Sequence, residues 1–204
     1  MEINNLEKIK GLLSFDKEGD LFYFAQLIKR RKDQSEAEKQ LMRSDNTIVK
    51  CYYITSLDYL ERKWNEMVTL CNLFNCRLYI NLNPCSFEKN CLHALKEVSD
   101  MLINKNHRAI ISLPSTLAGK YSAAGSNKTW LVDIDAKDLS FVDTIKQFIN
   151  TECRPEGDKD VALLDTKMGY HLITKPFDCQ KFHQVYPQIN VHKNNPTLLY
   201  YCYE

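Results

Sequence analysis

The sequence predicts an α+β protein: a mixed sheet with helices packed on one face, preceded by an N-terminal α/β extension. Three observations carry this expectation. Helical-period apolar stretches alternate with short runs of β-branched and aromatic residues, and one pair of such runs reads as a hairpin. The chain has 204 residues, 44% hydrophobic and 26% charged, which is enough to bury a core of its own. No internal repeat or low-complexity tract interrupts the succession.

Leu21 to Arg30, rich in Phe, Tyr, Leu and Ile, reads as a strand, as does Thr47 to Ile54. The polar stretch Asp33 to Arg43 between them reads as a loop or short helix. Ser56 is an N-cap candidate, and Leu57, Leu60, Trp64, Met67, Val68 and Cys71 follow at helical spacing until Asn75. Cys76 to Leu82 reads as a strand stopped by Pro84. Ser86 then caps a helix to about Ile103, with Phe87, Cys91, Ala94, Leu95, Val98 and Leu102 on its inner face. Ser112 to Lys128, rich in Ser, Ala, Gly, Pro and Thr, predicts an irregular surface loop.

Thr129 to Ile134 is the next strand, and Ser140 to Asn150 a helix with Phe141, Ile145, Phe148 and Ile149 inward. After a polar turn from Arg154 to Lys159, Val161 to Leu164 and Tyr170 to Thr174 form the hairpin, with Gly169 supplying a positive φ in its turn. Asp178 caps a short helix through Val185, and Thr197 to Tyr203 is a last apolar strand. From Cys76 onward the order is strand, helix, strand, helix, hairpin, helix, strand. It is close to the split β-α-β arrangement of RNA-recognition and polymerase-palm folds. The division expected is an N-terminal extension over 1–75 and a palm-like core over 76–204, the two able to form one compact domain.

Composition excludes several classes. A formal net charge of +1 leaves no argument from global basicity, so nucleic acid would have to bind through a local patch such as Lys29-Arg30-Arg31-Lys32, which equally reads as a solvated face. The eight cysteines form no C-x-x-C pair, which argues against a zinc ribbon, and several sit in apolar runs where a thiol acts as a small hydrophobe. Ala118-Gly119-Lys120 lacks the remaining residues of a P-loop. With no signal-peptide pattern and no window near the roughly 20 apolar residues of a membrane span, the expectation is a reduced, cytoplasmic setting without a membrane partner.

The most informative motif is Trp130-Leu131-Val132-Asp133-Ile134-Asp135. Side chains alternate along a strand, so Asp133 and Asp135 share one face and Val132 and Ile134 the other. Paired carboxylates suit a hard divalent cation, Mg²⁺ or Mn²⁺, and hence phosphoryl or nucleotidyl chemistry; the same pattern also fits a strand end whose acids face solvent. Downstream lies Thr166-Lys167-Met168-Gly169-Tyr170-His171.

Together these resemble the motifs of the archaeo-eukaryotic primase superfamily, which includes primase-polymerases of viruses and mobile elements. Its first motif is an apolar run ending in D-x-D, its second a small residue followed by Gly-x-His on a later hairpin, and its third an apolar residue followed by Asp. The resemblance covers about residues 76–204. It implies a divalent-metal-dependent nucleotidyltransferase of the DNA-replication type, acting on nucleoside triphosphates and a nucleic-acid template, in the host cytoplasm if viral. Asp133 and Asp135 would be the catalytic metal ligands. His171, with Lys167 and Gly169, would contact nucleotide phosphates, and Lys175 also flanks the histidine. The third motif departs from the pattern: Gln188-Ile189-Asn190-Val191-His192 has Asn190 in place of an acid, so Asn190 is the candidate third metal position and Asp178 an alternative. Two other functions stay open. One is a catalytically inactive palm- or RRM-like module binding nucleic acid or protein, with Tyr200, Tyr201 and Tyr203 as a stacking surface. The other is a metal-dependent nuclease using Asp133, Asp135 and Lys137.

Overall fold

The computed structural model describes residues 1–16, 18–42, 44–120, 128–194 and 196–203. The fold is α+β, but its strands form two sheets, and every pairing is antiparallel, which corrects the expected single mixed sheet. The larger sheet runs β1 (Glu2–Asn4), β10 (Thr197–Cys202), β4 (Arg77–Ile80), β2 (Leu21–Arg30), β3 (Asn46–Ile54), with β5 (Cys85–Ser86) against the start of β2. The smaller runs β7 (Asp160–Asp165), β8 (Tyr170–Thr174), β6 (Trp130–Ile134), β9 (Asn190–His192). Strands β4 and β10 therefore pair with strands from the first 75 residues rather than with β6.

The reason no sheet is mixed lies in the smaller one. β6 and β7 run in the same direction, joined through helix α6 (Leu139–Thr151), as a β-α-β crossover requires. β8 inserts between them and is antiparallel to both. The three-residue β9 is too short to show alternation in the sequence, yet it completes the sheet along the free edge of β6.

One face of the smaller sheet packs on α6 and α7 (Cys179–Val185): Val132, Ile134 and Leu172 meet Val142, Ile145, Ile149 and Phe182. Both helices are capped by aspartates, Asp138 accepting from the Ser140 and Phe141 amides and Asp178 from those of Gln180 and Lys181. Asp178 is thus spent on a helix terminus and is not a third metal-site acid. The buried Lys159 ammonium donates to the Ile149, Asn150 and Gly157 carbonyls at 2.9, 3.4 and 3.0 Å, satisfying acceptors at the end of α6.

The opposite face contributes Leu131, Leu164 and Ile173 to the core of the larger sheet, built from Ala25, Leu27, Ile54, Leu78, Ile80 and helix α3 (Leu57–Phe74). α3 starts at the expected Ser56 cap and stops at Asn75, which adopts the left-handed conformation (φ 45°). The N-terminal strand precedes a short helix α1 (Leu6–Lys10). Asn5 Nδ2 donates to the Asp165 and Leu198 carbonyls, both at 2.9 Å, and so ties β1 to both sheets.

Two sequence expectations fail in the middle of the chain. Helix α4 (Phe87–Ile103) forms under its Ser86 cap but buries none of its residues; Leu95 is 69% and Leu102 61% exposed. Its apolar periodicity marks a helix, but Ala94 and Val98 on it are only half-buried, and its neighbours include α5 (Leu113–Lys120). Part of the expected irregular loop is that helix, held by buried Leu117 and Ala118, and residues 121–127 lie outside the described residues. The polar stretch after β2 does hold a short helix, α2 (Glu36–Leu41), with a capping box between Ser35 and Glu38.

Glu66 locks α3 onto β3. Its carboxylate accepts from Lys50, from Lys63 at 2.7 Å and from the Tyr52 hydroxyl at 2.8 Å, and these cations and the phenol hold it down at about 2. An unfolded glutamate titrates at about 4.3. The stabilisation is therefore complete above that pH and is lost as pH falls toward 2. Urea unfolding of Glu66→Gln is expected to show a lower midpoint than wild type at pH 7 and a shallower decline between about pH 4.5 and 2, the two proteins converging at the acid end.

Candidate active site

β6 is paired on both edges, so its alternation is fixed. Leu131, Asp133 and Asp135 point toward the larger sheet, and Asp135 sits just beyond the strand's end. In register, Asp133 lies opposite His171 on β8 and Asn190 on β9; directly opposed residues project from the same face. Asp133, Asp135, His171 and Lys167 converge in one open cleft of about 610 Å³ between the two sheets. His192, two residues beyond Asn190, lines it too, whereas Asn190 is exposed at the sheet edge and does not.

The histidine is held from both sides. Nε2 stands 3.5 Å from the Asp133 carboxylate, and Nδ1 is 2.8 Å from the hydroxyl of Thr197, the first residue of β10. His171 keeps the Asp133 carboxyl below its usual range despite partial burial, with His192 and Lys32 adding to the effect. The acid is thus a carboxylate at neutral pH.

The facing wall is cationic. Ile28, Arg30 and Lys32 come from β2 and the turn after it, and Arg77 and Tyr79 from β4. Arg77 is neutralised by a buried bidentate pair with Asp33, both bonds 2.7 Å, and its guanidinium lies 4.7 Å over the Tyr201 ring. Arg30 donates to the Tyr79 hydroxyl at 3.2 Å. Burial, with the nearby charges of Arg30 and Arg77, pushes the Lys32 ammonium down, and Asp33 and Asp135 pull it back only in part. Arg30, Lys32 and Lys167 have no carboxylate within ion-pair distance among the described residues. The Lys29–Lys32 run therefore splits: strand alternation sends Lys29 to Glu38 at 2.7 Å and Arg30 to the cleft, and Lys32 reaches the cleft from the turn that follows β2.

Other expected residues fall elsewhere. Lys137 lines a separate cleft with Asp165 and Tyr170, away from Asp133, and Lys175 is exposed outside both clefts. Tyr200 and Tyr201 are buried and cannot stack on bases; Tyr200 packs edge-on against Trp64 in the core. Half-buried Tyr203 has the Lys167 ammonium 4.9 Å from its ring centre. Sequence reasoning missed Arg77, Tyr79, His192 and Thr197. Only His192 left a trace, sharing strand parity with Asn190.

Gly169 does not line the carboxylate cleft, and its φ is not positive, contrary to the turn expectation. Its demand is close approach. A Cβ there would lie 1.9 Å from the Ile134 carbonyl oxygen and 2.6 Å from the Ala136 nitrogen, so the hairpin runs directly against the backbone that carries Asp135. The Thr166 hydroxyl accepts from the Gly169 amide at 3.0 Å and closes the turn.

Among the described residues no cluster of three or more His, Cys, Asp or Glu side chains forms a ready metal cage. The donor set that does converge, two carboxylates beside unpaired cations, fits Mg²⁺ or Mn²⁺, which bind through one or two carboxylates with water and substrate phosphate completing the shell. Among the described residues no helix is long and apolar enough to cross a membrane. No family model matches the chain, and neither curated proteins nor solved structures contain a match.

Gly169→Ala is expected to cost about 3 kcal/mol in urea unfolding, because the added methyl meets backbone rather than a side chain that can turn away. Gly11→Ala, whose nearest neighbours would be at 3.6 Å, serves as the control and is expected to change little.

Proposed function

We propose that the cleft binds a nucleoside triphosphate together with Mg²⁺ or Mn²⁺ and carries out nucleotidyl transfer on a nucleic-acid strand, in the manner of primase-polymerases. The observation carrying this reading is the convergence of Asp133, Asp135 and His171 on one face, opposite Arg30 and Lys32 and beside Lys167. The β-α-β-β-α-β order of the smaller sheet, with β8 between β6 and β7, supports a palm-like core.

In this reading Asp133 and Asp135 hold the cation, which when bound neutralises charge on the phosphates and on the attacking hydroxyl. Arg30, Lys32 and Lys167 hold phosphate oxygens, and an anion there relieves the mutual repulsion of the cations around Lys32. His171 supplies a hydrogen-bond donor. Arg77 keeps the wall in place through Asp33 and Tyr201 rather than binding ligand.

A second reading, a binding module of the same cleft without chemistry, is favoured by Asn190. Asn190 stands in register with Asp133 but carries no charge and lies outside the cleft, so the cleft offers a cation two carboxylates, fewer than a site built for tight metal binding. The nuclease reading draws no support, since Lys137 belongs to another cleft.

Isothermal titration of Mn²⁺ with a nucleoside triphosphate is expected to show binding to wild type and at least a tenfold weaker Kd for Asp133→Asn/Asp135→Asn, a loss of about 1.4 kcal/mol or more. Equal affinities, or no binding to either, would rule out the metal-nucleotide site. Template-dependent primer extension then separates the transferase from the binding module.

A further inference from the structure

The hydroxyl of Thr197 is nearly inaccessible, with the residue 1% exposed, and its one recorded partner among the described residues is Nδ1 of His171 at 2.8 Å. A buried hydroxyl that fails to donate loses a hydrogen bond, so its proton belongs on the line to Nδ1, which must then be the unprotonated ring nitrogen. The other side of the ring imposes the same condition independently. Nε2 faces a carboxylate oxygen of Asp133 at 3.5 Å, an acceptor toward which a ring N–H rather than a lone pair is expected to point, so the ring proton belongs on Nε2. Thr197 sits on β10 of the larger sheet, paired with Ile80 of β4, whereas His171 sits on β8 of the smaller. The hydrogen bond therefore ties the plane of the imidazole to the relative position of the two cleft walls.

We propose that Thr197 is a positioning residue that fixes His171 as the Nε2–H tautomer, so that the ring presents an N–H rather than a lone pair to an oxyanion in the cleft. This assignment rests on the phosphate-binding reading for its purpose, but the tautomer itself is testable without any ligand. With Thr197 donating to Nδ1, a flip of the ring would leave the buried hydroxyl unpaired, and an exchange of tautomers would keep it only as an acceptor, with its own proton no longer directed to a partner. Asp133 can then turn toward a cation while the histidine keeps its orientation.

The test is ¹⁵N NMR of the histidine side chains at about pH 8.5, where an ordinary imidazole is neutral. Wild type is expected to show a pyrrole-type Nε2 and a pyridine-type Nδ1 whose shift is displaced by an accepted hydrogen bond. Thr197→Val should move Nδ1 to the position of a free pyridine-type nitrogen, and Thr197→Ser should restore it. In Asp133→Asn the wild-type Nδ1 signal should persist, because the hydroxyl holds the ring. A protonated Nδ1 in wild type, an unchanged Nδ1 in Thr197→Val, or loss of the tautomer in Asp133→Asn with Thr197 intact would each overturn the assignment. Titration of the Mn²⁺–nucleoside triphosphate complex is the second readout: Thr197→Val should bind about tenfold more weakly, with Thr197→Ser close to wild type. If the variant binds as wild type does while the NMR pattern holds, the tautomer stands and its purpose is refuted; if wild type binds no nucleotide, the functional reading fails and the NMR result still decides the tautomer.

Discussion

Because β6 is hydrogen-bonded along both edges, a slip of one residue would turn Val132 and Ile134 into the cleft and drive Asp133 and Asp135 into the apolar layer under α6 and α7. Burying two carboxylates among Val142, Ile145 and Phe182 without partners is far costlier than any gain the alternative register could offer. The register is therefore held by the hydrophobic face, and the polar face inherits its geometry. Along that face Leu131 is buried between the sheets, Asp133 is half-buried beside His171, and Asp135 is exposed where the strand ends. A graded exit from core to solvent is what lets one strand both anchor a sheet and present charged groups.

The opposite wall explains why the charges do not cancel. Arg77, the buried cation of this wall, is paired bidentately with Asp33 and stacked on Tyr201, so its charge is consumed within the larger sheet. Among the described residues Arg30 and Lys32 have no carboxylate within ion-pair distance and stand on the wall facing Asp133 and Asp135, while Lys167, equally without an ion-pair partner, lies on the carboxylates' own side in the β7–β8 turn. Opposite charges held apart across an open cleft are what the proposed metal–nucleotide ligand would require.

The strands β2, β3 and β6 are legible in their β-branched and aromatic content, helix α3 in its period and its Ser56 cap, helix α6 in its apolar period alone, and the hairpin β7–β8 in two apolar runs flanking a glycine turn. The D-x-D alternation likewise placed Asp133 and Asp135 on one face, and their meeting with His171 follows from β8 lying beside β6. What local pattern does not encode is which elements pair at long range. That is why the sequence pattern suggests one mixed sheet where there are two, with β10 joining β4 and β1, and why it gives no sign that Thr197 touches His171. Gly169 illustrates a different limit: a glycine in a hairpin invites a positive φ, whereas here the demand comes from a backbone 35 residues earlier in the chain, at Ile134. The apolar spacing of α4 marks a helix but not a buried face, since periodicity names a stripe and not its neighbour.

The central claim is that the carboxylate face of β6 and the cationic wall of β2 serve one ligand. Anomalous diffraction from crystals grown with Mn²⁺ and a non-hydrolysable nucleoside triphosphate tests it most directly. The account predicts a manganese peak between Asp133 and Asp135, with triphosphate density reaching toward Arg30, Lys32 and Lys167. Manganese bound away from both carboxylates, or a nucleotide seated outside this cleft, would contradict it.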